Sequence, residues 1–600
     1  MTLLLDPRKG DVEDDTSSTK GRSLLSLAGT LLVEISLPKL VAAWLLLVAL
    51  PSFLLGLTPL IGSAWLHTFS RTAGSTYGGL LTFALILVVL VIGWFGGRTA
   101  FRVAEQAFWA LNAMAVQPLY ALFREVIRHF AELALGRWLD EASRARLRAF
   151  SAAAAGLILC VISLFIIWLI GPHTRWSAQF ADLLSPLSLI VPALANAGVI
   201  LFAYCTAVTF VWGLADASMD QPRGWSDFVD AATLKRSWRV VHLSDVHVVG
   251  ERFGFRLESG RLGPRGNDRL ERLLTRLEVM HAEKPFDHIL ITGDITDAGR
   301  SAEWAEFFAA ALRHPKLTER MLILPGNHDI NVVDRSNPAK LDFPTSPGRR
   351  LREMRALSGI CAVQGARTHV VDLPKRRLGQ TLEQALAPHA ADIATFADTG
   401  TLRLSAKLAK VWAESFPIVL PPETDDGLGI ILLNSTALTH FSFTNALGLM
   451  SAEQSSAMHA VARQFPKAQW IVALHHHLVE YPTPAIALSE RIGTALINGT
   501  WFVRQVQRIA RRAIVMHGHR HVDWIGRCGR LVIVSAPSPV MEARDADTTA
   551  FYIHTLGVDE QGRYLMAHPE RVEIAGEGGD IEPTQTPAIA YGMGHSVPSS

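Results

Sequence analysis

WRVVHLSDVH, Trp238 to His247, is an apolar run that closes on aspartate and histidine, and its reading decides the fold of the second half of the chain. Outward from it the pattern repeats. An amphipathic stretch around Leu270 to Glu283 is followed by DHILITGD (287–294), a helical pattern around Ala302 to Arg313, and MLILPGNHD (321–329). Short apolar runs ending in Asp, Asn or His alternate with amphipathic stretches, which predicts strands alternating with helices. The result is a layered α/β domain with its active groups at the carboxyl ends of the strands.

After Asp329 the rhythm lapses. Residues 331–428 read as an insertion with helical patterns near Arg349 to Leu357 and Leu402 to Glu414. Strand-like runs then resume as GIILLNS (429–435), WIVALHHH (470–477), AIVMHGHRH (513–521) and RLVIVSAPS (530–538), and FYIHTLGVDEQGRYLM (551–566) has the pattern of a closing hairpin. The predicted domain spans 237–575. A polar linker over 215–236 precedes it, and a Gly, Pro, Thr and Ser-rich tail over 576–600 is expected to be disordered.

Five polar clusters stand out: SDVH (244–247), TGDITD (292–297), PGNHD (325–329), the tandem His475-His476-His477, and GHRH (518–521). A single D-x-H is more often a turn that closes a strand. Five such endings in succession, each directly after an apolar run, point instead to one assembled site.

In this order the clusters resemble the calcineurin-like metallophosphoesterases, over approximately residues 237 to 565. The resemblance implies a four-layer α-β-β-α sandwich and a two-metal site. Asp245, His247 and His521 would hold one metal, Asn327, a tandem histidine and His519 the other, and Asp294 would bridge them. The chemistry of the residues agrees: a carboxylate can share two cations, imidazole binds transition metals well, and alternation in G-H-x-H sends both histidines to one side. Gly293, Gly326 and Gly518 would let the backbone come close to the metals or take positive φ.

Counting from the strand favours His475 as the tandem ligand, with His476 the alternative, because many relatives read H-H-P where this chain has His477 and Leu478. His476 and His477 otherwise read as surface or supporting histidines, and His517 as structural. The resemblance further gives His328 contact with the phosphoryl group and protonation of the leaving oxygen, with Asp297 either orienting it or capping a helix. Mixed Asp, Asn and His ligands favour Mn, Fe or Zn over a cysteine-rich structural zinc site. The implied reaction is hydrolysis of a phosphodiester, pyrophosphate or phosphomonoester by metal-activated hydroxide. Arg252, Arg256, Arg261 and Arg265 read as a solvated loop or as contacts to a second phosphate, and Asn267 as the start of the next helix.

The first part of the chain obeys different rules. Hydrophobic residues make up 49% of the sequence, and the excess sits before about residue 215. After a polar tail over 1–22, four stretches over 23–214 are long and apolar enough to cross a bilayer: Leu40 to Ile61, Tyr77 to Gly97, Ala149 to Ile170 and Leu189 to Leu214. Their position and number argue against a cleaved signal peptide. Arginine and lysine concentrate before the first span and in the connection 98–148, which predicts a multi-pass protein of an inner or plasma membrane with the phosphoesterase domain in the cytoplasm. That connection reads as amphipathic helix, with stripes Phe101, Ala104, Phe108, Leu111 and Leu122, Val126, Phe130, Leu133, broken near Pro118. Asn196, deep in the last span, reads as interhelical glue.

The expected partners are therefore the lipid bilayer and a phosphoester of the nucleotide or lipid-linked class. A formal net charge of +2 supplies no field for a nucleic-acid polymer. The four cysteines are scattered and lack metal-ligand or disulfide-framework spacing. The rival reading is a membrane sensor or scaffold that keeps the fold as a binding module, and retention of every expected ligand counts against it.

Overall fold

The structure, a computed structural model, describes residues 45, 49–72, 87, 116–135, 141–250, 255–258, 261–265, 267–334, 340, 342, 347–439, 442–482, 496–540 and 548–575. It divides into two compact units, Leu31–Met219 and a second that takes the chain from Asp220 onward.

In the first unit the described helices are α1 (Leu50–Thr72), α2 (Gln117–Leu135), α3 (Glu141–Ile170) and α4 (Ile190–Ala217). Among the described residues two segments, Ser143–His173 and Leu187–Ala217, are long and apolar enough to span a membrane, where the sequence predicts four. They coincide with the third and fourth expected spans. The Tyr77 to Gly97 stretch lies outside the described residues apart from Leu87, and so does most of Leu40 to Pro51. Helix α1 continues from there into the polar SAWLHTFSRT, so its described part is less apolar than the predicted span.

Helices α3 and α4 pack closely because glycine faces glycine. A Cβ on Gly156 would lie 2.6 Å from Thr209 O and 2.8 Å from Gly213 Cα. Asn196 is fully buried; its amide donates to Gly56 O (3.2 Å) and Arg175 O (2.6 Å), and its oxygen accepts from Arg175 N (3.1 Å). Pro118 stands in the first turn of α2, where a missing N–H costs nothing, and the stretch before Val116, where the expected break would show, lies outside the described residues. The face of α2 that packs is also not the predicted one. Tyr120, Phe123 and Ile127 join the buried cluster with Leu159, Val208 and Trp212, whereas Phe130 and Leu133 are exposed. The first predicted stripe, Phe101 to Leu111, lies outside the described residues.

The second unit is built on two mixed sheets. Its strands are β1 (Arg223–Gly224), β2 (Arg236–Leu243), β3 (Phe255–Glu258), β4 (Arg261–Arg265), β5 (His288–Ile291), β6 (Met321–Ile323), β7 (His369–Asp372), β8 (Arg377–Thr381) and β9 (Ile418–Leu420). There follow β10 (Leu428–Leu432), β11 (Gln469–Ala473), β12 (Ala513–His517), β13 (Trp524–Cys528), β14 (Leu531–Ser535), β15 (Thr548–Val558), β16 (Tyr564–Met566) and β17 (Glu570–Ala575). One sheet has the order β1-β13-β14-β12-β11-β10-β9-β7-β8, and the other β16-β15-β2-β5-β6 with β17 also on β15. Within them β2-β5-β6 and β10-β11-β12-β14 run parallel.

These parallel strands are covered on both faces, which is why they read as unbroken apolar runs. Val240, Val241, Ile289, Leu290, Ile430, Ile471 and Ile514 belong to one continuous core drawn from both sheets. Each such side chain contributes about 1.5–3 kcal/mol on burial. From Asp220 on, the stretch expected as a linker is folded onto this unit: β1 pairs with β13, and Cys528 Sγ donates to Asp220 O at 3.0 Å. In the segment read as an insertion, helices Pro347–Gln364 and Leu402–Ser415 occur, and β7, β8 and β9 extend the larger sheet. Asn267 precedes helix Asp268–Glu283 and clasps Val249 through both amide atoms at 3.0 Å. Arg252 lies outside the described residues, as do the side chains of Arg256, Arg261 and Arg265. The tail 576–600 lies outside them as well.

Candidate metal centre

Strands β2, β5 and β6 end in parallel, and the residues that follow them are Ser244-Asp245, Thr292-Gly293-Asp294 and Leu324-Pro325-Gly326-Asn327. From the other sheet β11 and β12 also end side by side and deliver Leu474-His475 and Gly518-His519. Five chain crossings thus meet at the carboxyl ends of two sheets. Main-chain bonds lace them together: Asp245 N donates to Gly293 O (3.0 Å), His247 N to Asp294 O (2.9 Å) and Gly518 N to His475 O (3.1 Å).

The loops are tightly wound. Among the described residues six non-glycine residues have positive φ, and five of them are Asp245, His247, Asp294, His519 and His521; Arg376 is the sixth. Left-handed backbone is unfavourable for residues with a Cβ, and such strain concentrates at functional sites. Gly293 has φ +96°, as a turn glycine should. Gly326 and Gly518 do not need positive φ; they are small because a Cβ there would strike Asp294 Oδ1 or the side chains of Ser244 and Asp245.

Two groups of ligand-type atoms share one oxygen. In the first, His521 Nε2 lies 3.3 Å from Asp245 Oδ1 and 3.4 Å from His247 Nε2. In the second, His475 Nε2 lies 3.1 Å from Asn327 Oδ1, 3.1 Å from His519 Nδ1 and 3.2 Å from Asp294 Oδ2. The same Asp294 Oδ2 stands 3.8 Å from His247 Nε2, which places this carboxylate between the groups.

These spacings fit metal ligands. Nitrogen and oxygen atoms about 2.0–2.1 Å from one cation sit about 3.0–3.4 Å from each other. His475 Nδ1 donates to Thr292 O at 2.8 Å, so a neutral ring has a bare Nε2 that faces an amide oxygen and a carboxylate oxygen. Acceptor facing acceptor calls for positive charge. Without a cation a proton supplies it: burial opposes charging of His475, but Asp294 raises its pKa to about 9. Burial also opposes ionisation of Asp294, yet His475, His328 and His247 hold it well below the usual carboxylate range. Asp245 is held at about 2, where His521 outweighs burial. Clusters Asp245-His247-His521 and Asp294-His475-His519 could each hold a metal ion, and the residues present fit a dinuclear site.

The tandem histidines separate by position. His475 enters the cluster; His476 turns Nδ1 to Ser435 Oγ (2.8 Å); His477 stacks on Tyr481 and His519, with ring centroids 5.9 Å apart in both pairs. His517 is buried on the last residue of β12 with Nδ1 3.1 Å from Gly518 O, and burial lowers its pKa to about 3.

His328 is part-exposed beside the buried ligands. Its main-chain N–H donates to Asp294 Oδ1 (2.8 Å), and its ring Nδ1 donates to the main-chain carbonyl of Asp297 (2.7 Å). The Asp297 carboxylate instead faces His247 Nδ1 at 3.5 Å, on the side of the ring away from the cluster. Asp297 does not cap the helix Ser301–Arg313, whose first turn is preceded by Arg300.

Sequence reasoning missed Asp329. This fully buried carboxylate accepts from Thr296 N (2.8 Å), Thr296 Oγ1 (2.6 Å) and Gly326 N (2.8 Å), and so ties the GDITD loop to the GNHD loop. Burial, and then Asp294, raise its pKa to about 6. The acid after GNH was the only signal for it.

Residues 239–395 match the family model described as calcineurin-like phosphoesterase, so the C-terminal part carries a calcineurin-like metallophosphoesterase domain. No curated protein matches the sequence. Among solved structures, a Danio rerio dimetal phosphatase is similar at 11% identity and TM-score 0.30, over 56% of this chain and 98% of its own. A Staphylococcus aureus protein provisionally assigned as a 5′-nucleotidase, in complex with α-ketoglutarate, shares 13% identity at TM-score 0.30, over 58% of this chain and 56% of its own. Lupinus luteus purple acid phosphatase shares 13% identity at TM-score 0.25, over 55% and 50%.

Proposed function

We propose that this protein is a membrane-anchored phosphoesterase whose two transition-metal ions, of the Mn, Fe or Zn class, are held by Asp245, His247, His521, Asp294, Asn327, His475 and His519. One observation carries the reading: two sets of ligand-type atoms, spaced as ligands are, share Asp294 Oδ2. The helices that flank the two sheets are read as the outer layers of an α-β-β-α sandwich. When bound, the metals would supply a water of lowered pKa and positive charge that neutralises the phosphoryl oxygens.

The chain's own groups do the rest. Asp294 lies between the two groups and sets their separation. Thr292 O fixes the His475 tautomer so that Nε2 faces inward, and Asp297 does the same for His328 through its carbonyl. His328, with Nδ1 so engaged, has Nε2 as the atom that reaches the ester and gives a proton to the leaving oxygen. His521 and Asp297 keep 20% and 19% of their side chains exposed, against 3% or less for Asp245, His247 and His475, so substrate approaches from their side. The substrate class is a phosphodiester, pyrophosphate or phosphomonoester of nucleotide or lipid-linked type.

Only 22% and 28% of the two apolar helical windows is buried, and Trp168, Phe165, Leu157 and Val211 point outward, which supports contact with lipid over a place in a soluble core. The arginine-rich flanks support a cytoplasmic side for the phosphoesterase domain.

The test is metal analysis with a phosphoester panel on the full chain in detergent, beside Asp294→Asn. Stoichiometry of two metals and turnover, both lost in the variant, is expected. A variant with full metal and full turnover would remove Asp294 from its bridging role, and no turnover of any diester, monoester or diphosphate by the metal-loaded wild type would remove the enzyme reading. Reporter fusions after Leu214 that are active outside the cytoplasm would overturn the orientation.

A further inference from the structure

At the far ends of the same strands lies a second cavity, of about 400 Å³. Its position follows from the strands: β2 enters it with Arg236, β5 with His288 and β6 just after Arg320, while their other ends reach the metal centre. Asp245 lies nine positions after Arg236, so the two sites stand roughly 20–30 Å apart.

The lining carries three arginines and three carboxylates. Arg236, Arg320 and Arg367 all face it, with Trp238, Leu420, Pro421 and Leu428 as an apolar wall. Arg236 is already paired with Asp426 (3.0 Å) and lies over the Trp238 ring (5.1 Å). Arg367 spends one N–H on Met321 O. Neither Arg320 nor Arg367 has a carboxylate at ion-pair distance among the described residues, although Glu319, Glu423 and Asp287 also line the cavity. Asp287 is engaged by Arg239 N at 2.7 Å.

The groups around Arg367 respond to this crowding. Burial, then the like charge of Arg320, lower its pKa to about 10, against the opposing pull of Glu319. His288, which also lines the cavity, is lowered to about 4 by burial and by both arginines, and its buried Nδ1 has no hydrogen-bond partner among the described residues. Two guanidinium groups that line one cavity without an ion-pair partner among the described residues are the donors an anion with several acceptor oxygens would bridge.

We propose that this cavity is a second, non-catalytic anion site for a small phosphate-bearing ligand, held by Arg320 and Arg367. Phosphate suits it better than a single carboxylate because its oxygens can reach both guanidinium groups at once. The apolar wall gives room for an organic portion, and the volume is in the range of small-molecule pockets.

The experiment uses the full chain in detergent, carrying Asp294→Asn so that phosphate is not drawn to the metal centre. Inorganic phosphate and adenosine 5′-monophosphate are titrated calorimetrically. Saturable binding is expected, weakened about 10-fold or more by Arg320→Ala and abolished by Arg320→Glu, both at an exposed position that leaves the fold intact. Affinity should fall with salt. Tighter binding of the nucleotide assigns an organic phosphate; equal affinities assign inorganic phosphate. The proposal is overturned if neither probe binds, or if both bind equally well to Arg320→Ala. In the otherwise wild-type chain Arg320→Ala should keep its phosphoesterase turnover, which separates this site from the metal centre.

Discussion

Replacement of Gly518 by alanine tests whether the two halves of the centre must touch. A Cβ at this position would press on Ser244 Oγ and Asp245 Oδ2 and lie 2.5 Å from Ser244 Cβ. Ordinary contact needs about 3.5–4.0 Å, so the GHRH and SDVH loops must part by about 1 Å. The same loops are joined by His519 N donating to Asp245 Oδ2 (2.9 Å) and by His521 Nε2 beside Asp245 Oδ1 (3.3 Å). Parting them by that amount breaks the first bond and carries His521 out of ligand spacing. Overpacking costs about 1–3 kcal/mol and the lost charge-assisted bond about 1.5–3 kcal/mol, so a destabilisation of about 3–5 kcal/mol is expected. Turnover should fall about 100-fold, as for other displacements of this size. Calorimetric Tm, metal stoichiometry and hydrolysis of bis-p-nitrophenyl phosphate read the three effects. Gly224→Ala, where an added methyl meets nothing, is the control, and Ser244→Gly should restore part of the loss because it removes two of the three offending atoms. Unchanged metal content and turnover in Gly518→Ala would refute the contact between the loops.

Other outcomes follow from single interactions. Because the Asp297 main-chain carbonyl holds His328, Asp297→Asn should lower kcat less than about 10-fold, whereas His328→Asn should lower it about 100-fold or more; equal losses in steady-state assays would contradict this. In metal-free protein His475 carries its proton up to about pH 9, so apparent metal affinity should rise about tenfold per pH unit toward that value and then level, as isothermal titration would read. With the folded pKa raised from 6.5, this histidine stabilises the metal-free state fully below about pH 6.5. Roughly 3 kcal/mol should be lost as pH rises through 9, and a Tm of metal-free protein that climbs over that window would deny it. Gly156→Leu should drive α3 and α4 apart and lower the detergent Tm by several degrees, while Gly62→Leu, whose Cβ meets no atom among the described residues, should not.

Strand ends were legible because each bears a polar residue directly after an apolar run, and buried parallel strands leave no other pattern. The same rule failed at α2. Leu122, Val126, Phe130 and Leu133 recur at helical spacing, as a packing face would, yet the described packing runs through Tyr120, Phe123 and Ile127. Periodicity finds an apolar stripe without saying what covers it, and in a lipid setting the stripe against protein need not be the more apolar one. The extra strands β7 to β9 were hidden for a related reason: all are short, β7 and β8 are part-exposed additions at the sheet edge, and the buried Ile418-Val419-Leu420 of β9 is only three residues long.

The centre itself shows where reading residues stops. His475 could be preferred over His476 by counting, but the deciding fact is a bond to Thr292 O from a loop 183 positions away in the chain. Asp329 has no apolar neighbour pattern to mark it, and its role exists only because the GDITD and GNHD loops converge. The left-handed backbone at Asp245, His247, Asp294, His519 and His521 is further still from the sequence, since left-handed positions fall to glycine by default and only a few per cent of other residues, Asn, Asp and His foremost, adopt them. That rarity is itself informative. Residues with a Cβ persist in this conformation only where the surroundings over-determine them, here through Gly293 O, Asp294 O and the Asp245 carboxylate accepting the N–H groups of Asp245, His247 and His519. The main chain therefore aims these side chains before any ligand arrives, and the strain falls on the same positions that the proposed chemistry needs to be rigid.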